Sequence, residues 1–140
     1  MVNRKLERRL VMVGSIWQIV SGLLTIFVYA SYIKNEGLNS DYNTLAKLEA
    51  AQSIFGSLYM FSVSFGMLFV ILGIVNFVMA KLLKDNQLEV KKPIWFILIG
   101  VTSYLVMDLL GSLMFLSAGI LALAKNKSIS KIVNNQFQKQ

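Results

Sequence analysis

The chain has 140 residues, one domain's length; 56% of them are hydrophobic and 15% charged, and the net charge is +7. There is no cysteine and no histidine, which removes disulfides, thiol chemistry, imidazole acid/base work and the usual zinc or haem ligands. The apolar residues come in unbroken runs flanked by the basic ones, a pattern of membrane spans and anchors rather than of nucleic-acid binding.

The first run, Leu10 to Ile33, is 24 residues without a charge, enough at about 1.5 Å per residue to cross a hydrocarbon core of about 30 Å. Arg4, Lys5, Arg8 and Arg9 before it and Val28-Tyr29-Ala30 within it also fit a secretory signal. The apolar stretch is longer than the roughly 7–15 residues of a signal's core, and so a retained helix is expected. Gly14, Gln18 and Gly22 recur at i, i+4 and i+8 on one face; the glycines allow close backbone approach and Gln18 can bond to a neighbouring helix. That packing role is the expectation for Gln18, with substrate contact as the alternative.

Residues 34–50, "KNEGLNSDYNTLAKLEA", are polar. Gly37, Asn39, Ser40 and Asp41 are turn formers, and from Asn43 the pattern becomes helical, predicting an outer stem over 43–51 that leads into a second span over 52–80. Gly66 and Gly73 stand seven residues apart on that span, close to the two-turn spacing of the glycines in "GSIWQIVSGLL" (14–24) and "GSLMFLSAGIL" (111–121). Close helix packing accounts for this spacing without internal duplication, and makes Gly111 and Gly119 further packing candidates.

Pro93 to Ala124 is 32 residues long and contains one charge, Asp108. One helix of that length would measure about 48 Å, so the run is expected to divide into spans over 93–107 and 109–124, each short and extended by snorkelling lysines. Asp108 is then turn and N-cap together, its carboxylate accepting from a free N–H at the start of the last helix. Two other roles stay open: a carboxylate shielded by Gln18, Thr102 or Ser103, and an ion- or proton-handling group. The tail 125–140 mixes lysines with Ile129, Ile132, Val133 and Phe137, and is expected either to lie along the inner leaflet or to be disordered.

Four spans place the amino terminus, the 81–92 loop and the tail on one side with twelve of the fourteen Lys and Arg, leaving Lys34 and Lys47 opposite. The positive-inside rule then puts both termini in the cytoplasm; three spans would export the tail's lysines. Tyr29, Tyr32, Tyr59 and Tyr104 near outer ends, and Trp95 near an inner end, fit interfacial belts. The expected fold is thus an all-α integral membrane four-helix bundle.

The segments "RRLVMVGSIWQIVSGLLTIF", "GMLFVILGIVNFVMAKL" and "LSAGILALAKNK" resemble an uncharacterised family of small four-helix membrane proteins from low-GC Gram-positive bacteria. The resemblance implies the same fold and a bacterial cytoplasmic membrane, but no activity and no site residues. The small multidrug transporters are similar in size, yet their essential carboxylate lies in the first span, where this chain has none. With its few carboxylates scattered, the chain is expected not to be an enzyme, to need no cofactor or metal, and to bind no nucleic acid. The expected function is that of an accessory protein in the lipid bilayer that binds and modulates a membrane-protein partner, or forms a homo-oligomer. A toxin- or bacteriocin-immunity protein is the first alternative and a small oligomeric transporter or channel the second.

Overall fold

A computed structural model describes residues 3–39, 44–85 and 87–137, with side chains to residue 37 in the first stretch and to residue 131 in the last. The turn formers Ser40 and Asp41, the stem's first residue Asn43, the side chains of Ile132, Val133 and Phe137, and the last three tail residues lie outside this description. The described residues are mostly helical, with no strand among them. Helix α1 (Lys5–Leu24) runs through a π-helical turn (Thr25–Tyr29) into α2 (Ala30–Asn39), followed by α3 (Leu45–Lys81), α4 (Lys91–Leu105) and α5 (Leu109–Phe137). Three stretches are long and apolar enough to cross a membrane: Lys5–Gly37, Leu45–Lys81 and Leu109–Lys131. The expected third span is α4, and its 15 residues measure only about 22 Å, short of a core of about 30 Å.

The chain forms two compact units, Gln18–Leu72 and Met1–Trp17 with Gly73–Gln140. The first is an antiparallel hairpin. A Cβ on Gly22 would stand 2.7 Å from the Gly66 carbonyl oxygen, and one on Gly37 would stand 2.7 Å from Phe55 Cβ, so the two helical arms of the hairpin touch backbone to backbone at Gly22 and backbone to side chain at Gly37. Eight residues of α-helix would carry Ala30 roughly 80° off the line of Gly22, and the one extra residue of a π turn takes back about that angle. Gln18, Gly22, Ala30, Ile33 and Gly37 therefore all remain buried on one stripe. The Ala30 N–H bonds to the Thr25 carbonyl, the i to i−5 bond that closes this turn. Thr25 Oγ1 donates to the Ser21 carbonyl at 2.8 Å just before it, one of the hydroxyl back-bonds that bend helices.

The second unit holds the start of α1, the end of α3, and α4 and α5. Glycines again set the approach: a Cβ on Gly100 would meet Leu116 Cγ at 2.7 Å, and one on Gly119 would meet Ile97 Cγ1 at 2.6 Å. Pro93 sits in the first turn of α4, where a missing N–H leaves no gap in the helix. The α5 helix does not stop at Ala124; it continues to Phe137, so the tail begins as helix instead of separating from the span.

In both units the buried positions recur every three or four residues, and many are small or polar, with Phe69, Phe96 and Phe115 buried among them. On α3 they are Ser62, Gly66, Phe69, Gly73, Asn76 and Ala80, and on α5 they include Ser112, Ala118, Gly119, Ala122 and Asn126. Large apolar side chains point outward, among them Phe27, Phe61, Met67, Ile71, Leu113 and Ile120. This is the arrangement of helices that pack in lipid through close backbones while Leu, Ile and Phe face the acyl chains.

Candidate functional site

Polar chemistry concentrates in the second unit, at two places. The first lies where the start of α1, the connection after α3 and residues 125–126 of α5 converge. Arg4 is fully buried; its Nη2 donates to the Gln87 carbonyl at 2.8 Å and to Asn126 Oδ1, while its backbone N–H donates to Asp85 Oδ1 at 2.8 Å. Asn126 in turn donates through Nδ2 to the Glu89 carbonyl at 2.6 Å. Glu7, also fully buried, is held by Lys125, whose Nζ lies 2.7 Å from Oε1 and 2.9 Å from Oε2. Arg8 donates to the Leu83 carbonyl at 2.6 Å, and Lys92 to the Leu82 carbonyl at 2.5 Å. These two cations thus satisfy carbonyls just past the end of α3, where the helix dipole favours positive charge. The cluster closes three chain segments into a clamp, in which Lys125 pairs with Glu7 while the Arg4 guanidinium bonds a carbonyl and an amide oxygen and keeps its Nε and Nη1 buried without a hydrogen-bond partner among the described residues.

The second place is the α4–α5 turn. The Asp108 N–H donates to the Ser103 carbonyl at 2.9 Å and the Met107 N–H to the Tyr104 carbonyl at 3.0 Å, the paired bonds of a Schellman C-cap. Met107 supplies the left-handed residue of that cap, with φ 61°. Asp108 then serves the next helix: its Oδ1 accepts from the Gly111 N–H at 3.0 Å and from Trp17 Nε1 at 3.0 Å. Asp108 is therefore both the end of one cap and the N-cap of α5. Its second oxygen rests against Gly111, where any Cβ would collide with it.

The sequence-derived packing residues fall in both units. Gly22, Gly66 and Gln18 are buried in the hairpin, Gln18 with only 2% of its surface exposed. Gly14 faces Met114 and Phe115, Gly119 faces Ile97 and Pro93, Gly111 faces Asp108, and Gly73 is buried on α3. Of the shielding partners considered for Asp108, Ser103 contributes its carbonyl oxygen to the Asp108 N–H, and Thr102 bonds instead to the Leu98 carbonyl within its own helix. Trp95, read as an interfacial ring, gives its indole N–H to the buried Asn76 at 2.9 Å.

Three features escaped the sequence reading: Trp17 as the partner of Asp108, Gly100 as a contact glycine, and Arg4 and Glu7 as buried groups. The last left a signal, because Arg4, Glu7, Val11, Gly14 and Ser15 extend a helical stripe back through the charged segment. Among the described residues no group of three metal-ligating side chains stands together. Comparison with family models, curated proteins and solved structures finds no match to this chain.

Proposed function

We propose that the chain is a non-enzymatic multi-pass protein of a cell membrane, with both termini on the cytoplasmic side, that binds and modulates another membrane protein. The convergence of Arg4 and Arg8, the loop at Leu83–Glu89, and Lys125 and Asn126 supports the sidedness. It gathers the three most basic segments at one end of their unit, as the positive-inside rule requires of a cytoplasmic face.

The observation that carries the partner-binding reading is the uncovered face of the hairpin unit. Its two arms share one narrow seam, and α3 exposes Ile54, Leu58, Met60, Phe61, Met67 and Leu68 along its length. The exposed Phe61 stacks on the half-buried Phe65 at 5.8 Å between ring centroids, and Phe65 meets the buried Phe69 at 5.0 Å, so the outermost ring of this face is held in place from the seam. Rigid aromatic side chains give contact area at low entropy cost, which suits a helix-to-helix interface. The test is a photocrosslinking amino acid at position 61 in native membranes. A discrete heterologous adduct, lost with a bulky polar replacement at 65, supports the reading; adducts to lipid alone count against it.

The topology proposed differs from four full crossings. The turn at Asp108 bonds to Trp17, and Trp17 lies nine residues, about 13 Å, along α1 from Arg8, far short of the end of the first apolar run. The α4 helix is only 15 residues long, and the last part of the Leu109–Lys131 stretch carries Lys125, Lys127 and Lys131, so that its uncharged part ends at Ala124. On that basis α4 and α5 are read as a re-entrant pair that returns to the cytoplasmic side from inside the bilayer. Non-regular backbone at such a depth is tolerated where its polar groups find partners, as those of residues 106–108 do.

That depth favours one second reading, a small transporter in which Asp108 is the ionisable group of the path. Proteoliposome flux lost in Asp108→Asn would support it, whereas equal flux in the two proteins would remove Asp108 from that role.

A further inference from the structure

The hairpin unit contains a cavity of about 280 Å³ between α2 and the start of α3, lined by Lys34, Gly37, Gln52, Phe55, Gly56 and Tyr59. Its size is close to the lower limit, about 300 Å³, of ordinary ligand pockets, enough for a segment of chain and not for a whole lipid. Gly56 is the informative residue. Every other glycine with a described contact meets an atom within 3.2 Å of where a Cβ would stand, so packing explains it. Gly56 is exposed at the mouth of this space, and apart from its own helix backbone nothing lies within 4 Å of where its Cβ would stand, although a helical glycine costs about 1 kcal/mol relative to alanine. What Gly56 provides is the open space itself.

The chemistry around that space is amphipathic. The Phe55 and Tyr59 rings wall it, Gln52 brings an amide, and Lys34 brings an ammonium that has no salt bridge among the described residues. Lys34 directly follows the apolar run that ends at Ile33, and the exposed rings of Tyr29 and Tyr32 precede it. On the membrane reading proposed above, on which this inference rests, that is the level of the lipid phosphates. We infer that this cavity is a binding site for an anionic phospholipid of the surrounding bilayer, with part of one acyl chain against Phe55, Tyr59 and the bare backbone of Gly56, and the phosphate on Lys34. A zwitterionic lipid satisfies the apolar part equally and brings no net charge to the ammonium.

The test uses the full chain purified from membranes in mild detergent, with native mass spectrometry of bound dioleoylphosphatidylglycerol and dioleoylphosphatidylcholine. The wild type retains the anionic lipid about fivefold better, the effect of one well-placed lysine near a membrane surface. Lys34→Gln removes that preference, Lys127→Gln keeps it, and Gly56→Leu lowers retention of both lipids. Equal retention by the wild type, a preference that survives Lys34→Gln, or one lost equally in Lys127→Gln overturns the site. If Gly56→Leu fails to keep its helical circular dichroism, the two lysine variants decide. A chain absent from the membrane fraction contradicts the membrane reading itself; a membrane-bound chain without preference contradicts only the lipid site.

Discussion

Met107 occupies a backbone conformation that glycine adopts at no steric cost and a side chain with a Cβ adopts at about 1–2 kcal/mol. Met107→Gly is therefore expected to raise the unfolding midpoint in detergent, by up to about 1 kcal/mol once glycine's greater freedom in the unfolded chain is offset. Its neighbour behaves oppositely. Asp108→Ala removes the cap of α5 and strands the Trp17 indole N–H, which together cost about 1–2 kcal/mol. Trp17→Phe alone costs less, and the double variant falls short of the sum because the two residues share one bond. Chemical unfolding followed by circular dichroism, with four proteins in one cycle, measures both terms. A fully additive cycle would mean that the indole and the carboxylate do not interact.

At the scale of elements, glycines and buried ions do different work. Gly22→Val places its Cβ and both methyls against the Gly66 carbonyl and Val70, so it should destabilise the hairpin by about 1–3 kcal/mol, read as a lower thermal midpoint in detergent. Glu7→Ala deprives Lys125 of its carboxylate. The expected cost is about 2 kcal/mol, below the 3–5 of a fully buried pair because Lys125 keeps about a third of its surface in solvent. The same chemical unfolding measures it, and Lys125→Ala on that background should add little.

The helices themselves were legible: uninterrupted apolar runs locate α1 and α3, and one aspartate within 32 apolar residues locates the α4–α5 turn. The glycine spacing also picked out Gly22, Gly66 and Gly119, since a Cβ is excluded wherever backbones touch. The π turn was not legible, because nothing in "TIFVY" distinguishes an extra residue per turn from an ordinary one. Nor was the clamp. Arg4, Arg8 and Lys125 read as anchors of the positive-inside rule, and only three-dimensional convergence shows that Arg4 and Glu7 are buried. The helical spacing of Ile129, Ile132 or Val133, and Phe137 allowed a helical tail, but the lysines and asparagines gave no sign that it continues α5 without a break.

For the molecule as a whole, many small and polar residues are buried beneath exposed Leu, Ile and Phe, and three stretches are long and apolar enough to cross a membrane, which supports the proposed membrane reading. The central proposal is a topology in which the basic segments share the cytoplasmic face, α1–α2 and α3 cross, and the α4–α5 turn ends within the bilayer. A chain without cysteine allows this to be measured directly by single-cysteine labelling with a membrane-impermeant maleimide in intact and permeabilised cells. Lys47→Cys should label in intact cells, Lys84→Cys and Lys127→Cys only after permeabilisation, and Met107→Cys in neither state. Labelling of Met107→Cys in intact cells at the rate of Lys47→Cys would show that α4 and α5 cross completely and would contradict the re-entrant pair.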